Sequence, residues 1–328
     1  MEKSELRMDP LTREWTIFNE NRAVPPPPQF NAEILAASPF RAGLERFASH
    51  SLFQSGGPDG WQVRVVPNRT PVLAIEADPG MKQTGIYRHI GGFGAHEIVI
   101  EDPGERRFAE IGAAGITHVV EAWRSRIEDL TRDGRMFSFF VIKNEGAAAG
   151  QVVAHSISQI VTMGLVAPAL RRKLNVAKDY HAAHAKSLFA DVLEEELKTR
   201  TRVVFENAGF VGFCPYAARS PFEISIWPKR LAPDFHRITN DEVSQLAEAL
   251  NAAVSGIRRG LDAPAWNLAL TTAPSVGARA EEWPDVEREF SWHIDLTPRL
   301  YPAGALEQVS GCHVNGVWPE TAADFLRR

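Results

Sequence analysis

His96-Glu-Ile-Val-Ile-Glu-Asp-Pro103 returns later in the chain as Phe222-Glu-Ile-Ser-Ile-Trp-Pro228. Both are short runs rich in β-branched residues and closed by proline, the composition of a strand ended by a turn. Upstream, Arg64-Val-Val-Pro-Asn68 is echoed in the same way by Arg202-Val-Val-Phe-Glu206. A helical period follows each pair. In the first copy Phe108, Ile111, Val119, Trp123, Ile127 and Leu130 recur at helical spacing, with Gly112 and Gly115 weakening the first turns. In the second, Thr239 and Glu242 form a capping-box pattern ahead of Val243, Leu246, Leu250, Val254 and Ile257. Two further strands close each copy, 137–143 with 155–162 and 266–271 with 290–296.

A strand-strand-helix-strand-strand unit repeated at an offset of about 125 residues predicts an α+β protein of two similar half-domains. Each would be an antiparallel sheet with a long helix packed on one face. The halves fall at residues 61–170 and 199–328, joined by a helical connector at 171–198 that is charged and has no β-branched run. Residues 1–60 contain the four consecutive prolines 25–28, which must be extended and cannot join a helix. This stretch reads as an arm packing on a core built elsewhere.

Composition narrows the partners. A length of 328 residues allows about two domain-sized units, and 44% apolar with 23% charged residues excludes wholesale disorder. The net charge of -5 lacks the basic footprint of a nucleic-acid or anionic-membrane binder, so a small molecule or a protein is the expected partner. Two cysteines, Cys214 and Cys312, exclude a disulfide framework and an all-cysteine zinc site, leaving a single disulfide open. The opening residues lack a signal-peptide pattern, and no apolar run approaches the ~20 residues that span a bilayer. The expected location is cytoplasmic.

Asn144-Glu-Gly-Ala-Ala-Ala-Gly150 places small residues between two expected strands, where backbone N–H groups can approach a phosphate. Alone, the run reads equally as a flexible hairpin connection. It is followed by His155-Ser-Ile-Ser-Gln159 and, near the C-terminus, by Trp292-His-Ile-Asp-Leu-Thr-Pro-Arg-Leu300. Met8-Asp-Pro-Leu-Thr-Arg-Glu-Trp15, Asn21-Arg22-Ala23, Pro215-Tyr-Ala-Ala-Arg-Ser-Pro-Phe-Glu223 and Trp227-Pro-Lys-Arg230 complete the set. Together, from about residue 7 to 326, these phrases resemble the galactose-1-phosphate uridylyltransferase family of the histidine-triad superfamily, in that family's order.

The resemblance implies two tandem histidine-triad-like halves and a double displacement. In such chemistry a histidine attacks the α-phosphorus of a nucleoside diphosphate sugar, and a sugar 1-phosphate then collects the nucleotidyl group. A neutral imidazole suits the task because it is nucleophilic near pH 7, and the protein otherwise supplies positioning and charge stabilisation. The family phrase is His-Pro-His-x-Gln, with the second histidine as nucleophile. Here His155 and Gln159 match its ends, and Ile157 occupies the nucleophile position. An isoleucine has no lone pair to attack with.

Metal ligation is lost in parallel. The family's Cys-Pro-x-Cys falls on Ser38-Pro-Phe-Arg41, a further histidine is replaced around Gly104 or Glu105, and a Cys-x-x-Cys of some relatives falls on Ser187-Leu-Phe-Ala190. His155 alone does not make a zinc site, and neither a metal nor a cofactor is expected. Retained residues point to ligand binding. By the resemblance, Arg22 lies near the nucleotide phosphates, Asn68 near the nucleoside, and Asn144, Gly146, Ala147 and Gly150 in the phosphate loop. Gln159 would hydrogen-bond the transferring phosphate, and Ser156 and Ser158 are hydroxyls beside the missing nucleophile. A second arginine expected after Arg22 appears as Pro25.

His293 and Asp295 alternate on a strand and so share a face. They match a family phrase that contributes to an accessory metal or substrate site. With Thr271 where some relatives have histidine, a hydrogen-bonded structural pair is the favoured reading. His181 and His184 share a helix face without an evident third ligand, and a solvated face is expected there. His155 reads as a replacement base or as a satisfied core residue. The leading expectation is a nucleotidyltransferase-like protein acting on a nucleoside diphosphate sugar without the histidyl intermediate, with His155 as acid or base. Its rival is a non-catalytic nucleotide-sugar-binding or regulatory protein, and a third option is an unrelated small phosphorylated substrate. A sugar 1-phosphate as second ligand and a homodimer are implied by the resemblance.

Overall fold

A computed structural model describes residues 4–19, 40–44, 50–57, 60–104, 106–262 and 264–328. Arg22, the prolines 25–28, Ser38 and Glu105 lie outside the described residues. The chain opens with a hairpin, β1 (Ser4–Met8) and β2 (Trp15–Asn19). The first half contains β3 (Phe53–Gly57), β4 (Gly60–Pro67), an exposed small hairpin of β5 (Lys82–Thr84) and β6 (Tyr87–His89), β7 (His96–Ile100), α1 (Phe108–Leu130), β8 (Ser138–Glu145) and β9 (Ile157–Met163). Two connector helices follow, α2 (Pro168–His184) and α3 (Leu188–Thr199). The second half contains β10 (Val203–Glu206), β11 (Phe210–Phe213), β12 (Ile224–Pro228), α4 (Asn240–Gly260), β13 (Trp266–Thr271), the short α5 (Val276–Arg279) and α6 (Val286–Glu289), and β14 (His293–Pro298). The chain closes with α7 (Ala305–Ser310), β15 (His313–Asn315) and α8 (Pro319–Leu326). β15 pairs in parallel with β2, binding the two ends of the chain together.

Ten strands form one antiparallel sheet in the order β10-β11-β12-β14-β13-β8-β9-β7-β4-β3. Outward from the central β8–β13 pair, the two halves repeat the same arrangement of strands, each with one long helix. The duplication differs from the sequence-based expectation in one respect. Three sheet strands, not two, precede each long helix, and the first of them, β3, lies ahead of residue 61. Residues 203–206 therefore form β10, the counterpart of β3, whereas 64–67 lie in β4, whose counterpart is β11. Composition alone could not align these strands, because β-branched runs suit any half-buried strand and only pairing tells them apart.

α1 and α4 lie side by side on one face of the sheet. Val65, Val99, Val141 and Ile160 from the first half, with Ile224, Leu268, Leu270 and Ile294 from the second, meet Trp123, Ile127, Leu250 and Val254 in one continuous core. Full burial of such side chains is worth about 1.5–3 kcal/mol each before entropy, which makes this shared core the main cohesion between the halves. Gly112 leaves the helical region (φ 68°, ψ 174°) and kinks α1 after its first turn, as the glycines foreshadow. α4 begins with the expected capping box, Thr239 N–H donating to Glu242 Oε2 at 2.8 Å and Glu242 N–H to Thr239 Oγ1 at 3.2 Å.

The opposite face differs between the halves. On the second half, Leu170, Leu174, Phe189 and Leu193 of the connector helices pack on Phe213, Trp227 and Phe290. On the first half that face carries a smaller apolar cluster of Trp61, Val66, Ile98 and Ile100, joined by Phe40 and Ile157. This asymmetry places the candidate site. Among the described residues no helix is long and apolar enough to cross a membrane.

Candidate functional site

Gln159 lies on β9 opposite Ile98 of β7, and His96, two residues before Ile98, shares its face. His96 Nε2 is 2.6 Å from Gln159 Oε1, and the backbone N–H of Val72 donates to His96 Nδ1 at 3.1 Å. An imidazole that accepts at Nδ1 is neutral and carries its proton on Nε2, so Nε2–H donates to the Gln159 oxygen. The glutamine NH2 is thereby turned away from the ring and is the end that a ligand would meet. Asn68 abuts the same imidazole, its Nδ2 3.1 Å from His96 Nε2, while its Oδ1 accepts from Thr70 N–H at 3.0 Å. Two expected site residues, Asn68 and Gln159, are thus brought together by a histidine the sequence reading had treated only as part of a strand.

Ile157 stands two residues along the same strand and joins the apolar cluster of Trp61, Ile98 and Ile100. His155 is 2% exposed, with Nε2–H donating to the Asp102 carbonyl at 2.7 Å and the Phe40 ring edge-on at 6.1 Å. Such an imidazole fixes the Asp102 turn through its Nε2–H. Ser158 points to the helix side, where its Oγ accepts from the Trp123 indole at 2.8 Å. Ser156 is buried as well, donating to Glu101 Oε2 at 2.6 Å and accepting from the Lys143 ammonium at 3.0 Å. The expectation that Ser158 touches a ligand gives way to strand alternation, since Ile157 and Gln159 take the other face.

β8 continues through Asn144 and Glu145 into the Gly-Ala run, whose Ala147–Ala149 form a single 3₁₀ turn. Gly146 adopts φ 86°, and a Cβ there would stand 2.7 Å from the Ala265 Cβ, so conformation and space both demand glycine. The N–H groups of Gly146 and Gly150 are spent inside the loop, on Gln151 Oε1 at 2.6 Å and the Ala147 carbonyl at 3.0 Å. Their contribution is the shape of the turn rather than donors for an anion. Asn144 faces Asn267 directly across the β8–β13 junction, its Oδ1 accepting from Asn267 Nδ2 at 2.7 Å.

His293 and Asp295 do share a face, on the second half. Lys173 of α2 reaches between them, its ammonium 2.6 Å from His293 Nε2 and 3.9 Å from Asp295 Oδ2. His293 Nδ1–H donates to the Ser291 carbonyl at 3.0 Å, so Nε2 is the acceptor. Burial, and then Lys173, push the His293 pKa down to about 4. Burial would raise the Asp295 carboxyl, but Lys173 and the other surrounding charges outweigh it and hold the group well below the usual range. The position that a metal ion bound by both side chains would take is filled by an ammonium. This trio borders a cavity of about 480 Å³ with Arg202, Tyr216 and Glu196 in its wall and no residue of β7 or β9.

Cys214 is buried, Cys312 is partly exposed, and both are free. His181 Nδ1 lies 3.2 Å from the Lys186 carbonyl and His184 stacks on Tyr180, and among the described residues no three His, Cys, Asp or Glu side chains gather to hold a metal. The residues that sequence reasoning missed are His96, Asn267 and Lys173. His96 stood in the opening strand phrase, but no local pattern tied any of the three to its partner.

No family model matches the sequence. The ADP-glucose phosphorylase of Arabidopsis thaliana is 31% identical to it over 333 residues, covering 98% of this chain and 92% of that protein. The galactose-1-phosphate uridylyltransferase of Thermotoga maritima is 25% identical over 334 residues, covering 98% of each. The chain belongs to the galactose-1-phosphate uridylyltransferase family. Among solved structures, an ADP-glucose phosphorylase from Arabidopsis thaliana with bound ADP-glucose superposes with a TM-score of 0.85 at 29% identity, covering 100% of this chain and 99% of that one. A uridylyltransferase mutant superposes with a TM-score of 0.76 at 23% identity over 98% and 96%, a likeness of fold. Family membership accounts for the duplicated sheet.

Proposed function

We propose that this chain acts on a nucleoside diphosphate sugar and transfers or cleaves its phosphoryl group by a single in-line displacement, with no nucleotidyl-histidine. The observation that carries the reading is Ile157, packed into an apolar cluster next to a glutamine whose NH2 is held outward by His96. Ligands bound by relatives support the substrate class, since an Arabidopsis thaliana homologue is solved with ADP-glucose.

Single displacement needs little from the protein beyond position and charge. The Gln159 N–H groups would hydrogen-bond a non-bridging oxygen as charge spreads in the transition state, and the turn at Gly146 would shape the space beside it. An acceptor such as inorganic phosphate or a sugar 1-phosphate is already an oxyanion at neutral pH. It needs no general base, which agrees with His155 being committed to the Asp102 carbonyl. Arg22 completes the reading as a phosphate contact, and a homodimer belongs to it as well.

A second reading, binding without turnover, is favoured by Phe40 and Trp61 in the cluster that surrounds Ile157. The test is incubation with ADP-glucose or UDP-glucose plus phosphate or galactose 1-phosphate, using a nucleotide sugar made chiral at its α-phosphorus. One displacement inverts that centre and two retain it. Turnover with inversion is expected; retention, or a nucleotidyl adduct on the unmodified chain, would overturn the proposal, and tight binding with no product would establish the second reading.

A further inference from the structure

Asn267 has three hydrogen bonds, and each ties a different part of the sheet junction. Its NH2 donates to Asn144 Oδ1 at 2.7 Å and to the Ala149 carbonyl at 2.9 Å, and its Oδ1 accepts from Arg299 Nε. The guanidinium of Arg299 is therefore anchored by one edge to the Gly-Ala turn. Among the described residues no carboxylate pairs with it, and both Nη groups are unengaged. The neighbouring cation is in a different state: Arg219 donates from Nε to Glu223 at 3.0 Å and lies 3.4 Å from Asp295, so it is paired with carboxylates.

Hollows of about 350 Å³ and 370 Å³ flank Arg299, the first walled by Ala148–Gly150 of the turn and free of carboxylates, the second by Arg219, Asp295, Thr297, Glu307 and His313, so the first is the one suited to an anion. Burial, and then repulsion from Arg219, lower the Arg299 pKa from its usual value. An anion beside the free edge would relieve both effects, and a guanidinium fork matches two oxygens of a phosphate.

We propose that Arg299, held by Asn267 against the Gly-Ala turn, is a seat for a dianionic phosphate, either inorganic phosphate or the phosphate of a sugar monoester. Asn267 on β13 lies two strand spacings from β9 and two residues along from the Ile142–Gln159 pairing, on the same face, so its backbone stands about 12 Å from that of Gln159 and the seat opens on the same surface of the sheet. In the transfer reaction this would be the acceptor's seat, a role that rests on the reading above. Phosphate binding at Arg299 does not depend on that reading.

The experiment is calorimetric titration of the full chain with inorganic phosphate, glucose 1-phosphate and ADP-glucose, each separately. Arg299→Ala should weaken phosphate and glucose 1-phosphate binding about tenfold or more, the usual worth of a charge-assisted pair. Arg299→Lys should recover only part, because a point charge lacks the fork, and Asn267→Ala should behave like Arg299→Ala. ADP-glucose affinity should change less than twofold, with unchanged circular dichroism and melting temperature showing an intact fold. Preference for inorganic phosphate or for glucose 1-phosphate, with equal dependence on Arg299, identifies the source. Phosphate ligands that bind wild type and Arg299→Ala alike, or no phosphate binding by wild type, would overturn the seat. If wild type binds phosphate through Arg299 but no nucleotide sugar, the seat stands and the functional proposal falls.

Discussion

His96 Nε2 lies 2.6 Å from Gln159 Oε1, and the Val72 N–H closes the other side of the imidazole at 3.1 Å. One neutral ring thereby sets the amide orientation of Gln159 and holds the loop that carries Asn68. In the proposed ligand site His96 acts through Gln159, so the two substitutions should not add. His96→Ala and Gln159→Ala should each weaken ADP-glucose or UDP-glucose binding about tenfold, and the double variant should be little worse than either. A coupling energy of about 1 kcal/mol or more in a double-mutant cycle is expected, with His96→Gln restoring part of the affinity. Strict additivity would show that His96 does not orient the glutamine.

Ile157→His puts an imidazole at the position where the resemblance places the family's nucleophile. Placing a polar ring in the cluster of Trp61, Ile98 and Ile100 should cost about 1–3 kcal/mol of stability, tolerable in a chain with a core this continuous. Incubated with a nucleotide sugar, the variant should accumulate a nucleotidyl adduct visible by intact mass. Absence of the adduct while nucleotide-sugar binding persists would mean that the α-phosphorus does not face residue 157.

Beneath Ile157, Lys143 is 1% exposed, with its ammonium 2.7 Å from Glu101 Oε2, 3.0 Å from Ser156 Oγ and 3.2 Å from Glu145 Oε2. Lys143→Met should destabilise the chain by about 3–5 kcal/mol in urea denaturation, because it strands a carboxylate in the core. Adding Glu101→Gln should recover part of the loss. An equal loss in both variants would point to packing rather than charge.

His293 stays neutral in the fold down to about pH 4, against 6.5 for an ordinary histidine. Between those values the unfolded chain holds a proton that the folded chain does not. Stability should therefore be full above pH 6.5, decline as the pH falls to about 4, and change no further below that on account of this group. The contribution is at most about 3 kcal/mol. Unfolding free energies at pH 7.5 and 5 should diverge less in His293→Asn than in wild type; an identical pH slope would remove His293 as the cause.

Gly146→Ala meets two obstacles, a φ of 86° and an Ala265 Cβ 2.7 Å from the new methyl. A loss of about 1–3 kcal/mol is expected, read as a lower melting temperature. A neutral result would show that the turn relaxes freely and that its shape does not depend on Gly146.

Much of this architecture was legible beforehand because its signals are local. The β7 and β12 phrases, the periods of α1 and α4 and the Thr239 cap each lie within a few residues, and their repetition implied the duplicated sheet. The alignment of 64–68 with 202–206 was not legible, since two β-branched runs look alike until each has a neighbour. The site divides in the same way. Gln159 and the isoleucine before it could be read from one short phrase, whereas His96 is 63 positions from Gln159 and Asn267 is 123 from Asn144.

What the order of amino acids determined alone was the kind of each element, the doubling of the half-domain and the aliphatic side chain at position 157. Tertiary structure decided which strands became neighbours, that Lys173 would fill the gap between His293 and Asp295, and which edge of Gln159 and Arg299 was left for a ligand. The division has a physical cause. Period and turn chemistry act within a few residues along the chain, but a hydrogen bond across a sheet depends on pairing register, which is set by the burial of a whole face at once.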